Sequence, residues 1–214
     1  MSAGQAPAAG GSTRSYATLR HRDFRFLWTA ELVSSTGTQI QRIAVAWQIF
    51  EVSRDPLALG ALGLCRFVPI LLFGVAGGVV ADRYDRRRTL LISQAALLAC
   101  STAFAVMTAA GAASLAAIYA LTIIASIFAS VASPTRQALI PALVPRDDLA
   151  GAMSMNVLAS QIATIGGPAF GGVLIGALGV GAAYTIDAIS FGVVAIAVIV
   201  LRTRPAVVRQ TISG

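Results

Sequence analysis

Glu31, Ser34, Ser35, Thr38, Gln41, Arg42 and Gln48 recur at helical spacing inside an otherwise apolar stretch. At 100° per residue they share one arc of about 140°. Leu32, Val33, Ile40, Ile43, Trp47 and Phe50 take the opposite side, Thr36 and Gln39 fall outside the arc, and Val45 and Ile49 interrupt it. A polar stripe on an apolar helix must face protein or water rather than lipid. Two readings stay open: a packing face with satisfied hydrogen bonds, and one wall of an aqueous path. Two more charges, Arg66 and Asp187, stand inside other apolar runs. Counted from the segment ends, Arg42, Arg66 and Asp187 share a depth roughly 9–14 Å from one membrane face. Charge inside a membrane is costly unless paired, so Asp187 is expected to pair with Arg42 or Arg66. Glu31 lies about 16 Å from Arg42 along the same helix and has no evident partner. A carboxylate isolated in low dielectric is suited to take up and release a proton, which makes Glu31 the candidate coupling group, partial exposure near the cytoplasmic interface being the alternative. The chemistry legible here is the binding and movement of polar solutes and protons.

Other chemistries lack their residues. All 16 basic residues are Arg, so there is no lysine for a phosphate-binding loop or a Schiff base. The single histidine, His21, precedes the first apolar segment, which removes histidine-based metal sites and Ser–His pairs from the membrane. Cys65 and Cys100 sit inside apolar runs and read as small buried hydrophobes. No enzyme activity, cofactor or metal is expected.

The elements that position these groups follow from composition. The chain is 57% hydrophobic and 12% charged, with a mean hydropathy of +0.78. A soluble domain is about 45–50% apolar and about 25% charged, so a soluble or disordered protein is excluded. Six apolar segments, 24–50, 57–81, 89–111, 115–133, 151–179 and 181–201, each come close to or exceed the about 20 residues that cross a bilayer as a helix. They lack the period-2 alternation of a membrane barrel. The predicted architecture is an all-α membrane protein with a disordered tail at 1–22, a six-helix domain at 23–204 and a linker beginning at 205–214. Asp147 or Asp148 is expected to cap the fifth helix. With Met1 inside the cell, thirteen arginines, counting Arg25 at the start of the first segment, lie on the cytoplasmic side and only Arg54 faces out. That asymmetry places both termini in the cytoplasm and the protein in the plasma or inner membrane. The arginines are spread over four separate segments, which argues against nucleic-acid binding.

Two motifs sharpen the reading. The stretch Gly78-Val79-Val80-Ala81-Asp82-Arg83-Tyr84-Asp85-Arg86-Arg87-Arg88-Thr89-Leu90 joins the second and third segments. A topogenic loop accounts for its arginines but not for Asp82 and Asp85 at fixed places among them. The stretch resembles the Gly-x-Leu-Ala-Asp-Arg-x-Gly-Arg-Arg/Lys loop of the major facilitator superfamily, departing from it at Asp85. The Asp-Arg-x-Asp-Arg-Arg form is similar to that of the drug-exporter branch containing enterobactin- and macrolide-efflux-type proteins. The resemblance implies a conformational latch built from Gly78, Asp82, Arg83, Asp85, Arg86, Arg87 and Arg88. The fifth segment carries Gly166-Gly167-Pro168-Ala169-Phe170-Gly171-Gly172. Gly167, Pro168, Gly171 and Gly172 resemble the antiporter motif of the superfamily's exporters. On residue type alone this is a kink with a small-residue packing face, Gly167–Gly171 and Gly172–Gly176 both having the spacing. Gly77-Gly78-Val79-Val80 in the second segment echoes Gly171-Gly172-Val173-Leu174.

The resemblance implies one six-helix half of a major facilitator fold, itself a 3+3 inverted repeat, and a proton-coupled exporter of small amphipathic molecules such as drugs or siderophores. Many relatives have Gly-Asp where this chain has Gly37-Thr38, and the fourth helix lacks a mid-membrane arginine. Family members have two such halves, so the partners implied are membrane lipid, a small-molecule substrate and a second half. A fragment, a homodimer and a separately encoded second half are the three explanations, with the fragment preferred. The alternatives are the membrane domain of an ATP-driven exporter whose ATPase is a separate chain, and a non-functional truncated fragment. The short loop between the second and third helices argues against the ATP-driven exporter.

Overall fold

The computed structural model describes residues 18–200. A 3-10 turn, Thr18–Arg20, leads into six helices: α1 (Arg22–Ser53), α2 (Pro56–Arg83), α3 (Arg86–Ala109), α4 (Leu115–Leu143), α5 (Leu149–Leu178) and α6 (Val180–Val200). A second 3-10 turn, Arg146–Asp148, precedes α5. Five of the helices, α2 to α6, are long and apolar enough to cross a membrane. At 32 residues α1 has the length, but its polar stripe dilutes its apolar content. The proposed linker at 205–214 and most of the proposed tail lie outside the described residues. Within that tail, Thr18 is buried and Leu19 packs against the core.

Local chemistry explains where the helices stop. Ser114 caps α4, its hydroxyl accepting from the Ala117 amide at 3.3 Å. Gly179, at φ 80°, ends α5 in a positive-φ conformation that suits glycine, and α6 begins at the next residue. Two boundaries differ from expectation. The charged loop expected between α2 and α3 shrinks to Tyr84 and Asp85, so Asp82 lies within the last turn of α2. The fourth helix does not stop at Ser133 but continues through Pro134 and Pro141 to Leu143. Pro134 has no N–H for the carbonyl of Ser130, four residues earlier. Gly77 of α2 sits against that carbonyl: a Cβ on Gly77 would lie 2.5 Å from the Ser130 oxygen.

The helices pack in a simple series: α2 on α4, α4 on α3, α3 on α6, α6 on α1, and α1 on α5. This series reads the same from either end when α1, α2 and α3 are exchanged for α4, α5 and α6. It leaves α2 and α5 at the flanks, where Leu64, Phe67, Leu71, Ile165, Phe170 and Val173 are exposed. The interior holds two apolar clusters. One gathers Phe24, Leu27, Leu90, Leu139, Phe191 and Val194. The other gathers Ile40, Ile49, Phe104, Ile118 and Tyr184. Between these clusters lie buried polar groups of α1, α3, α4 and α6, among them Ser34, Ser101, Ser126 and Asp187.

The two flanking helices use glycine alike. Gly77 meets the α4 backbone, while a Cβ on the adjacent Gly78 would meet nothing within 4 Å. On α5, a Cβ at Gly167 would lie 2.5 Å from Gln39 Cβ and one at Gly171 3.3 Å from Ile40 Cα, whereas Gly172 and Gly176 face open space. Of the two small-residue spacings in the sequence, only Gly167–Gly171 is a packing face here. Gly77→Ala and Gly167→Ala should therefore each destabilise the solubilised protein by about 1–3 kcal/mol. Gly78→Ala and Gly172→Ala should be neutral or slightly stabilising, because alanine favours the helix by about 1 kcal/mol over glycine. Thermal unfolding in detergent separates the cases. Equal sensitivity across each pair would mean that the glycines act through backbone flexibility rather than close approach.

Candidate functional site: a polar cavity and the carboxylates behind it

A cavity of about 660 Å3 opens among the helices. Ser34, Ser35, Thr38, Gln41 and Arg42 of the α1 stripe line it, joined by Arg66 from α2. Gln39, which the helical arc excluded, lines it too. Its Nε2 donates to Thr164 Oγ1 on α5 at 3.0 Å, and its Oε1 accepts from Arg42 Nη1 at 2.9 Å. Gln39 is four residues beyond Ser35 and three before Arg42, so a broader arc would have included it.

The two ends of the stripe do not line the path. Gln48 is buried, accepting from Tyr184 Oη at 2.7 Å and donating to Thr108 Oγ1 at 2.8 Å. The Tyr184 ring stacks on Phe104 with centroids 5.0 Å apart. This linkage ties α1 to α3 and α6 and is a packing device. Glu31 is 6% exposed and is not isolated. Its Oε2 forms an ion pair with Arg136 Nη1 of α4 at 2.7 Å, and Oε1 accepts from Ser35 Oγ at 2.6 Å. The expectation of a partnerless carboxylate fails because α4 runs past Pro134. Arg136, assigned by sequence to a cytoplasmic loop, instead extends from a continuous helix to α1.

Asp187 also departs from expectation. It is fully buried and makes no ion pair with Arg42, Arg66 or any other described residue. Hydroxyls satisfy it instead. Ser101 Oγ of α3 donates to Oδ2 at 2.6 Å, and Thr38 Oγ1 of α1 donates to Oδ1 at 3.3 Å. Gln41 Nε2 in turn donates to Ser101 Oγ at 2.8 Å. The cavity wall thus connects to Asp187 through Thr38 directly and through Gln41 and Ser101. Gly37 brings α1 this close to α6: a Cβ there would lie 2.8 Å from Ser190 Oγ and 3.2 Å from Asp187 Oδ1. Sequence reasoning missed Ser101 because one serine in an apolar helix carries no charge signal.

The α2–α3 junction is a set of helix-end contacts. Asp85 caps α3, its Oδ1 accepting from the Arg88 amide at 2.8 Å, which gives the departure from glycine at this position a structural use. Arg86 Nη1 donates to the Ala138 carbonyl of α4 at 2.8 Å, and Arg87 Nη2 to the Ile199 carbonyl of α6 at 2.6 Å. The side chains of Asp82 and Arg83 lie outside the described ones. At α5, Asp148 occupies the cap position without a capping hydrogen bond, contrary to expectation. Its carboxylate contacts His21 Nε2 at 2.8 Å instead, joining the starts of α1 and α5. Among the described residues no cluster of His, Cys, Asp and Glu is arranged to hold a metal.

Residues 13–213 match the family of transmembrane secretion effectors. The chain belongs to this family of the major facilitator superfamily. Among curated relatives, the staphyloferrin A transporter of Staphylococcus aureus is 29% identical over 71% of this chain and 38% of its own length. The enterobactin exporter EntS of Salmonella typhi is 28% identical over 75% of this chain and 39% of its own. Macrolide efflux protein A of Streptococcus pyogenes is 24% identical over 84% of this chain and 44% of its own. The match therefore spans about two-fifths of each of these relatives. No solved structure matches the chain. The chain is thus a multi-pass membrane protein of the efflux type within this superfamily.

Proposed function

We propose that the chain is the N-terminal six-helix half of a proton-coupled exporter of small amphipathic molecules, with both ends in the cytoplasm. The observation that carries this reading is the cavity lined by α1 polar groups and hydrogen-bonded to a buried carboxylate. The names of the relatives support export. The packing series, unchanged when the two halves of the helix order are exchanged, supports a 3+3 inverted repeat. Gly77 on α4 and Gly171 on α1 are the corresponding close approaches. A second six-helix half, on the same polypeptide or another, completes the substrate path. The two-residue α2–α3 turn gives no foothold to a separate ATPase, which favours gradient-driven over ATP-driven transport.

In this reading Asp187, not Glu31, is the coupling group. Glu31 is neutralised by Arg136 at contact distance, whereas Asp187 makes no ion pair with a described residue, is hydrogen-bonded by hydroxyls with Arg42 acting on it only from farther away, and has a hydrogen-bonded route to the cavity. Protonation alters its bonds to Thr38 and Ser101 and so changes how α1, α3 and α6 pack against one another. Arg86 and Arg87 act as the latch by holding the ends of α4 and α6. Topology provides the test. In a Cys65→Ala, Cys100→Ala background, cysteines at Arg54 and Ala112 should react with an impermeant maleimide from outside intact cells. A cysteine at the exposed Tyr84 should be protected until the membrane is opened. Outside labelling at Tyr84 with protection at Arg54 and Ala112 would overturn the orientation, and labelling of all three from outside would overturn the arrangement of spans.

A further inference from the structure

The balance of charge in the cavity singles out two arginines. Its wall carries three guanidinium groups, Arg42, Arg66 and Arg136. Arg136 is neutralised by Glu31 at 2.7 Å. Arg42 donates to the neutral amide oxygen of Gln39 at 2.9 Å and pairs with no described carboxylate. Arg66 is partly buried and has neither an ion pair nor a hydrogen bond to a described side chain. The two groups are near enough for their charges to repel. Asp187 attracts Arg42 only from beyond contact distance, its oxygens being taken up by Ser101 and Thr38, and among the described residues no carboxylate lines the cavity wall to pair with either guanidinium. The other polar lining groups are hydroxyls and amides.

Two like charges on the wall of a low-dielectric cavity are costly unless an anion compensates them. Guanidinium groups match carboxylates in shape and bind them in a two-pronged fashion. Apolar surface lies beside them at Ile70, Leu97, Phe104 and Phe191. The volume, about 660 Å3, suits a small organic molecule. We infer that Arg42 and Arg66 together bind the carboxylate of an anionic amphipathic cargo whose apolar body lies against this surface. The inference rests on the reading of the cavity as part of a transport path, and it narrows the cargo to anions.

The test uses two dyes with the same xanthene ring and opposite charge, carboxyfluorescein and rhodamine 123. Their uptake is followed in everted membrane vesicles from cells expressing the intact gene product. Arg42→Gln and Arg66→Gln should each raise the half-saturating concentration of carboxyfluorescein about tenfold, a loss of one charge-assisted contact. Rhodamine 123 transport should stay within about twofold of wild type or improve. Arg42→Lys and Arg66→Lys should recover part of the carboxyfluorescein affinity, because charge is kept and only the two-pronged geometry is lost. Immunoblots for membrane abundance separate this from misfolding. Equal losses for both dyes, or carboxyfluorescein transport indifferent to both substitutions, would overturn the anion site while leaving transport intact. Wild-type vesicles that contain the inserted protein but accumulate neither dye would overturn the transport reading itself.

Discussion

Arg136→Met should destabilise the protein by about 3–5 kcal/mol, one of the two largest effects expected of any single change in this chain. The substitution leaves Glu31, 6% exposed, with Ser35 as its remaining hydrogen-bond partner. An unpaired buried carboxylate costs far more than the ion pair itself contributes. Two further variants separate charge from packing. Glu31→Met combined with Arg136→Met removes both charges and should recover most of the loss. Glu31→Arg combined with Arg136→Glu restores a pair in the reverse order and should recover part of it. Thermal unfolding in detergent, together with the amount inserted in membranes, reads all three. An Arg136→Met variant as stable as wild type would mean that Glu31 is solvated and that α4 does not hold α1 through this contact.

Asp187→Asn should uncouple transport without unfolding the protein. The amide keeps the shape: its oxygen can accept from Ser101 while its NH2 donates to the Thr38 hydroxyl, but it cannot carry a proton. Gradient-driven export should fall by about 5–150-fold, the range of coupling free energies of about 1–3 kcal/mol. Exchange of labelled for unlabelled substrate without a gradient should persist, because the cavity wall at Ser34, Gln39, Gln41 and Arg42 is untouched. Glu31→Gln makes the contrasting case: it should affect stability more than coupling. If Asp187→Asn retains full gradient dependence while Glu31→Gln loses it, the assignment of the two carboxylates is reversed.

These two carboxylates also mark what was and was not legible in the sequence. The period of the α1 stripe identified Ser34, Thr38, Gln41 and Arg42 as one face, and that face lines the cavity. Helical periodicity is local, so one segment suffices to read it. Partners are not local. Pairing charges by type and depth led Asp187 to Arg42 or Arg66, whereas its oxygens are held by Ser101, 86 residues away. Neutral hydroxyls serve as well as cations, and many such residues lie in apolar helices. The Glu31 partner was hidden by a different cause. Pro134 reads as a helix stop, but in a bundle a neighbouring helix can accommodate the carbonyl that proline leaves free. Gly77 lies against that carbonyl, so α4 continues and carries Arg136 to Glu31. The paired glycines show a third limit. Composition identified Gly77-Gly78 and Gly171-Gly172 as an echo. Adjacent residues point about 100° apart on a helix, so only the neighbouring helix decides which of each pair is packed.

The most direct test of the account is transport by the intact gene product in everted vesicles energised by an imposed pH gradient alone. The account predicts accumulation of carboxyfluorescein that nigericin abolishes and vanadate leaves unchanged. It also predicts that adding substrate to acid-loaded vesicles releases protons, and that Asp187→Asn eliminates this release. Accumulation that requires ATP and is blocked by vanadate, or that proceeds unchanged after the proton gradient is collapsed, would contradict a proton-coupled exporter.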